Sequence, residues 1–204
     1  MLEDAGALLA LLLQQAKATR PVEAVAVLLG LGYIALAIRQ RRACWIAGGL
    51  STALYILVFL DARLYLQSAL QVVYVALAVY GWREWGQGGQ GGAGLSVRQW
   101  HWRRHLVSIV ATGLATLVTA PALAAWSDSA APWSDALGTW ASIAATWMMV
   151  RKVAASWIWW VVVDAWLAWL FASQGLAFTA ALYVAFAMLA VAGWLTWRRA
   201  AQAR

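Results

Sequence analysis

The sequence predicts an all-α integral membrane protein with seven transmembrane helices, built as two parallel three-helix repeats joined by a central helix (3+1+3). Three observations predict this. Of 204 residues, 64% are hydrophobic and 11% are charged, against about 45–50% and about 25% in soluble domains, and mean hydropathy is +0.70. The apolar runs are long and do not alternate, so in a bilayer they can only be helices. Finally, the pattern of residues 21–85 returns in residues 133–197.

Residues 1–20 are leucine-rich but short. Glu3 and Asp4 replace the basic start of a signal peptide, and Lys17 and Arg20 follow, so the segment reads as an interfacial helix. Pro21 opens the first span, about 21–38, since proline suits a first helical turn. The second span covers about 43–60, and Asp61-Ala62-Arg63 turns the chain. The third, about 64–82, ends in Gly81-Trp82-Arg83-Glu84-Trp85. Residues 86–104 form a cytoplasmic linker whose Gly-rich start has no core-forming side chain. Its end, Trp100 to Arg104, is an aromatic and basic collar typical of a membrane interface. The connecting helix occupies 105–126, and a polar loop carries Asp128 and Pro132. The second repeat, 133–197, holds spans at about 136–150, 155–172 and 176–195, and a basic tail, 198–204, closes the chain.

Arginines set the orientation. Arg39, Arg41, Arg42, Arg83, Arg98, Arg103, Arg104, Arg151, Lys152, Arg198 and Arg199 fall on one side, which the positive-inside rule makes cytoplasmic. The N-terminus is then outside and the C-terminus inside, in a multi-pass protein of the cell inner membrane.

A shift of 112 residues aligns the two repeats without a gap. Arg39 meets Arg151, Trp45-Ile46 meets Trp157-Ile158, Gly81-Trp82 meets Gly193-Trp194, and Trp85 meets Trp197; about a quarter of positions are identical. An odd number of spans in each repeat plus one connecting span gives both repeats the same orientation, the parallel arrangement of transporters that bind substrate near the midplane between repeats.

Asp164 lies near the middle of an apolar run, where a carboxyl is costly; it is a substrate counter-ion, a proton carrier or a structural acid bonded to a neighbouring helix. Trp157 and Trp160 share its helix face at i, i+3 and i+7. Two indoles leading to an acid suit a flat cation, although tryptophans also crowd membrane interfaces. Asp164 aligns with Thr52, beside Ser51, and Gln71 aligns with Tyr183. Gln71 and Tyr74 are deep enough to need partners. Ser51, Thr52 and Thr146 can bond their own helix backbones.

Leu64-Tyr65, Leu70-Gln71, Tyr80-Gly81-Trp82, Trp157 with Trp160, and Gly193 with Trp197 together resemble the PnuC family of vitamin transporters. The resemblance covers residues 21–197. It implies a SWEET-like 3+1+3 bundle and uptake of nicotinamide riboside, a precursor of NAD, by facilitated diffusion with alternating access. It also implies trapping through phosphorylation by a cytosolic kinase, a homotrimer, and thiamine, or less often riboflavin, as the alternative cargo. Substrate-binding positions would be Trp157, Trp160, Asp164, Gln71, Tyr74, Thr146, Ser51 and Tyr183. An Asn is usual in the riboside carriers where Asp164 stands.

Other classes fit less well. A retinal protein needs a lysine in its last span, and the lysines here are Lys17 and Lys152. No set of residues suggests an enzyme, a cofactor or a metal site. Despite a net charge of +7, no nucleic-acid-binding module is visible.

Overall fold

The computed structural model describes residues 21–61, 65–87, 94–127, 131–173 and 177–202. The expected interfacial segment 1–20, the turn at 62–64, the glycine-rich stretch 88–93, the polar residues 128–130, the turn at 174–176 and the last two residues lie outside the described residues. Among those described are seven helices: α1 (Pro21–Ile38), α2 (Cys44–Asp61), α3 (Tyr65–Gln87), α4 (Trp102–Trp126), α5 (Pro132–Val150), α6 (Ser156–Ser173) and α7 (Ala177–Gln202).

Most ends fall within a few residues of the sequence expectation. Pro21 and Pro132 each start a helix, where a missing N–H costs nothing. Where the ends differ, the helix continues past the apolar run. α3 runs on through Arg83 and Glu84, and α7 through Arg198 and Arg199. These residues favour helix even where they are too polar for a bilayer core. α4 likewise begins at Trp102, inside the expected linker, with His101 accepting the Arg103 amide N–H as its cap. By length and apolarity alone, three stretches cross a membrane: Pro21–Ile38, Trp102–Trp126 and Ala180–Gln202. The apolar stretches Cys44–Val58 and Ser156–Leu170 are shorter.

α1 packs on α2 and α2 on α3; α5 packs on α6 and α6 on α7. The two groups meet through α3 against α5 and through α7 against α1, while α4 packs on α5. Each cross-contact therefore sets the last helix of one group against the first helix of the other.

At the basic end the same construction occurs twice, 112 residues apart. Gln40 and Lys152 follow α1 and α5 in the left-handed conformation, with φ of 56° and 52°. Each ends its helix in a Schellman turn: the Arg41 N–H bonds the Leu36 carbonyl, and the Val153 N–H bonds the Met148 carbonyl. Helix ends leave carbonyls without partners, and an indole from the opposite group reaches across to them. Trp85 Nε1 donates to the carbonyls of Met149 (3.2 Å) and Val150 (3.0 Å). Trp197 Nε1 donates to those of Ala37 (3.0 Å) and Ile38 (3.2 Å). Trp45 meets Trp85 edge-on at 5.4 Å, and Trp157 meets Trp197 at 5.5 Å, both at 87°. The rings of Trp45 and Trp157 lie flush on Gly81 and Gly193, where an added Cβ would collide with them.

Only the second of these turns carries a strap. Residues 94–101 were expected to be part of a linker, and they are pinned instead. Arg98 pairs with Val153 as a parallel bridge, the Arg98 N–H bonds the Lys152 carbonyl, and the Ala154 N–H bonds the Arg98 carbonyl. Lys152 is buried, with Nζ donating to the Leu95 carbonyl at 2.7 Å above the Trp85 ring. Burial lowers the basicity of the Arg98 guanidinium, and neighbouring Arg151 adds to the effect. Arg151 itself pairs with Glu84 at 2.7 Å, tying the end of α5 to α3.

Candidate functional site

The six helices other than α4 each contribute one polar side chain to a set of neighbours that runs from Asp164 to Tyr33, beside Trp45. Asp164, from α6, is only 4% exposed. Tyr74 from α3 and Tyr183 from α7 lie within electrostatic reach of its carboxyl. Ser142 from α5 is hydrogen-bonded to the Tyr74 hydroxyl. Tyr33 from α1 lies within reach of Tyr74. Tyr55 from α2 lies within reach of Tyr183 and of Glu23, in the first turn of α1. Among the described residues, no lysine or arginine is close enough to offset the Asp164 charge, and no hydrogen bond to its carboxyl is found.

The expected residues divide into groups. Asp164, Tyr74 and Tyr183 are brought together. Trp160, one turn from Asp164, is half-buried against the aromatic core. Gln71 is half-buried one turn from Tyr74. Ser51 and Thr146 are buried but committed: Ser51 Oγ donates to the Ala26 carbonyl of α1 at 2.7 Å, and Thr146 Oγ1 to the Ser142 carbonyl of its own helix at 2.8 Å. Trp157 is 2% exposed, so it is no interfacial belt residue. It sits in the tryptophan lock at the basic end. Its buried Nε1 has no partner among the described residues, and neither does that of Trp45. Since the orphan donor occurs in both halves, it is a property of the lock and gives no pointer to a ligand.

Ser142, Tyr33 and Tyr55 were not anticipated. The signal for Ser142 was its position one turn before Thr146 on one face. Tyr33 packs on Trp45 at 5.9 Å and fits against Gly48, which has no room for a Cβ. The positions equivalent to Tyr33 and Gly48 are Ala145 and Trp160. The aromatic ring thus comes from the first helix in one half and from the middle helix in the other.

A buried carboxyl near two tyrosine hydroxyls, with no cation beside it among the described residues, can take a cationic ring through its charge and a polar substituent through hydrogen bonds. It holds no nucleophile–base pair, and no group of metal-ligating side chains occurs among the described residues. Such a site inside a bundle of apolar helices is that of a multi-pass membrane transport protein. The sequence matches the family described as "Nicotinamide mononucleotide transporter" over residues 20–199, so the chain belongs to that family, in which the PnuC transporters fall. It is 28% identical to the nicotinamide riboside transporter PnuC of Escherichia coli K12, over 90% of this chain and 87% of that protein. The Shigella flexneri protein of the same name matches equally. The crystal structure of the vitamin B3 transporter PnuC shares the fold, with a TM-score of 0.72 at 21% identity over 98% of this chain and 92% of that one.

Proposed function

We propose that the protein carries nicotinamide riboside across the inner membrane by facilitated diffusion, with Asp164 as counter-ion to the pyridinium ring. The observation that carries this reading is a buried carboxyl with no basic neighbour among the described residues, within reach of the Tyr74 and Tyr183 hydroxyls from two other helices. Trp160 supplies a ring face. Tyr74, Ser142, Tyr183 and Gln71 supply ribose contacts. Ser51, Thr146 and Trp157 hold the surrounding helices in place. The same argument favours the riboside over its phosphorylated form, because a phosphate entering this region would meet Asp164 and no arginine. Thiamine is the second reading, favoured by an acid at a position where the riboside carriers have Asn.

Transport proceeds by rocking of two three-helix repeats, α1–α3 and α5–α7, with α4 as the connector. The paired turns and tryptophan contacts 112 residues apart support that division. The basic end faces the cytoplasm, the N-terminus lies outside, and a cytosolic kinase traps the product. The exposed apolar side of α4, which includes Val107, Leu114 and Val118, gives lipid or neighbouring copies of a homotrimer a surface to cover.

The test is equilibrium binding of nicotinamide riboside, its 5′-phosphate, thiamine and riboflavin to purified wild type and Asp164→Asn. The riboside should bind, the phosphate should bind far more weakly, and the substitution should cost tenfold or more, as for a charge-assisted contact of about 1.5–3 kcal/mol. Unchanged affinity in Asp164→Asn would overturn the counter-ion role, since the amide then serves as well as the carboxyl. Binding of thiamine alone would replace the substrate.

A further inference from the structure

Besides the strap, the two halves differ in one side-chain contact on the basic end. In the first half, the Arg42 guanidinium stacks 3.8 Å over the Trp82 ring, and its Nε donates to the Trp82 carbonyl at 2.7 Å. It fills the notch above Gly86 so fully that a Cβ there would strike it. In the second half the equivalents of Arg42, Trp82 and Gly86 are Ala154, Trp194 and Arg198. The arginine has moved from the turn to the helix, and Ala154 is too short to fill the notch. A cavity of about 210 Å³ results, bounded by Ala154, Ile158, Trp194 and Arg198 on one side and by Trp100 and His105 on the other. A second cleft of about 300 Å³ shares Trp100 and continues past Arg103 and Arg104 to Val107.

Three features identify what these clefts fit. Arg103, Arg104 and Arg198 have no carboxylate partner among the described residues, and no acid lines either cleft. The nearest acid on this end, Glu84, is already taken by Arg151. The far walls are apolar and open outward, with Val107 68% and Ile158 44% exposed on helices that run into the membrane. Cations at one end and exposed aliphatic surface at the other match an amphiphile whose head is an oxyanion.

We propose that the two clefts bind the phosphodiester headgroup of an anionic phospholipid, held by Arg103, Arg104 and Arg198, with acyl chains along Val107 and Ile158. The bound lipid bridges the strap and α4 to the second half, at the place where the first half is bridged by its own Arg42. Free phosphate offers the same oxyanion but leaves the aliphatic walls uncovered.

The full chain, purified in neutral detergent, is titrated with phosphatidylglycerol, phosphatidylcholine or inorganic phosphate. Retained lipid is read by native mass spectrometry, and stability by the thermal midpoint. Phosphatidylglycerol should be retained and should raise the midpoint, and the other two should do neither. Arg104→Gln with Arg198→Gln should weaken retention roughly fivefold per arginine, the equivalent of about 1 kcal/mol each. Ala154→Arg is the sharper variant. It refills the notch as Arg42 does, so a specific site loses its lipid, whereas attraction to the general basic surface strengthens with the added charge. Arg104 and Arg198 are exposed and Ala154 is a buried turn residue, so the lipid-free midpoint of each variant is measured to show that it folds. Equal retention of phosphatidylcholine, stronger retention in Ala154→Arg, or a full midpoint shift with inorganic phosphate alone each overturns the proposal.

Discussion

If the paired tryptophans close the basic end, removing either indole N–H should open it. Trp197→Phe keeps an aromatic ring but deletes the donor to the Ala37 and Ile38 carbonyls. Ala37 keeps a second bond, from the Gln40 N–H, so the Ile38 carbonyl is the one left bare. Trp85→Phe does the same to the Val150 carbonyl, while Met149 keeps the Lys152 N–H. A buried carbonyl stripped of its partner costs about 1–3 kcal/mol. At about 2 kcal/mol the closed-to-open ratio falls roughly thirtyfold. The protein carries its own reporter, because its single cysteine, Cys44, is fully buried among Trp45, Trp85 and Trp197. When opening and closing are faster than modification, maleimide labelling of Cys44 tracks the open population. Each variant should label about thirtyfold faster than wild type, and by similar factors, because the two sets of contacts match. Circular dichroism and the thermal midpoint show that labelling comes from folded protein. A lowered midpoint with unchanged labelling would mean that the indoles hold the fold and do not gate it. A response in only one variant would mean that the halves do not share closure.

Three further outcomes follow from the geometry. Gly81→Ala and Gly193→Ala push a methyl into the rings of Trp45 and Trp157 and should lower the thermal midpoint by the equivalent of about 1–3 kcal/mol; Gly113→Ala, with open space around its Cβ, should hold or raise it. Gln40→Gly relieves a left-handed residue and should stabilise by about 1 kcal/mol, seen as a raised midpoint; a drop would show that the side chain matters more than the strain. Tyr74→Phe and Ser142→Ala break one shared hydrogen bond and should each weaken riboside binding roughly fivefold in a titration, the cost of about 1 kcal/mol; wild-type affinity in both would remove that pair from the site.

The spans were legible because basic residues, glycines and prolines punctuate runs long enough to cross a bilayer. Their ends were less so. Arg83 to Gln87 and Arg198 to Gln202 are polar, and polarity marks the edge of the membrane, not the end of the helix. The strap at residues 94–98 was hidden because its partner, Val153, is far away in sequence and the glycines before it suggested slack. In helices that are apolar all round, only polar residues say which face points inward. That is why Asp164, Tyr74 and Tyr183 could be singled out. Tyr33 and Tyr55, each isolated in an apolar run, looked like filler. Trp157 has the right spacing from Asp164, but spacing alone did not reveal that its ring is wedged on Gly193.

The internal repeat separates closing from recognition. At the basic end the equivalent positions agree: Trp45 with Trp157, Gly81 with Gly193, Trp85 with Trp197, and Gln40 with Lys152 in backbone conformation. Around Asp164 they disagree throughout: Thr52 stands opposite Asp164, Gln71 opposite Tyr183, Phe186 opposite Tyr74, and Gly30 opposite Ser142. In the proposed mechanism closing is a movement of two similar bodies, and matched contacts would release both together at equal cost. A substrate with a charged ring at one end and a sugar at the other has no twofold axis. A site on the axis between two identical halves would have to offer it the same groups on both sides. In the proposed site, a carboxyl on one side of that axis and a threonine on the other would give the cation a single orientation. The exchange Thr52→Asp with Asp164→Thr should therefore preserve the lock while turning the bound ring toward α2. A cross-linker on the ring would then transfer its label from α6 to α2, and a label still found on α6 would show that the orientation is set elsewhere.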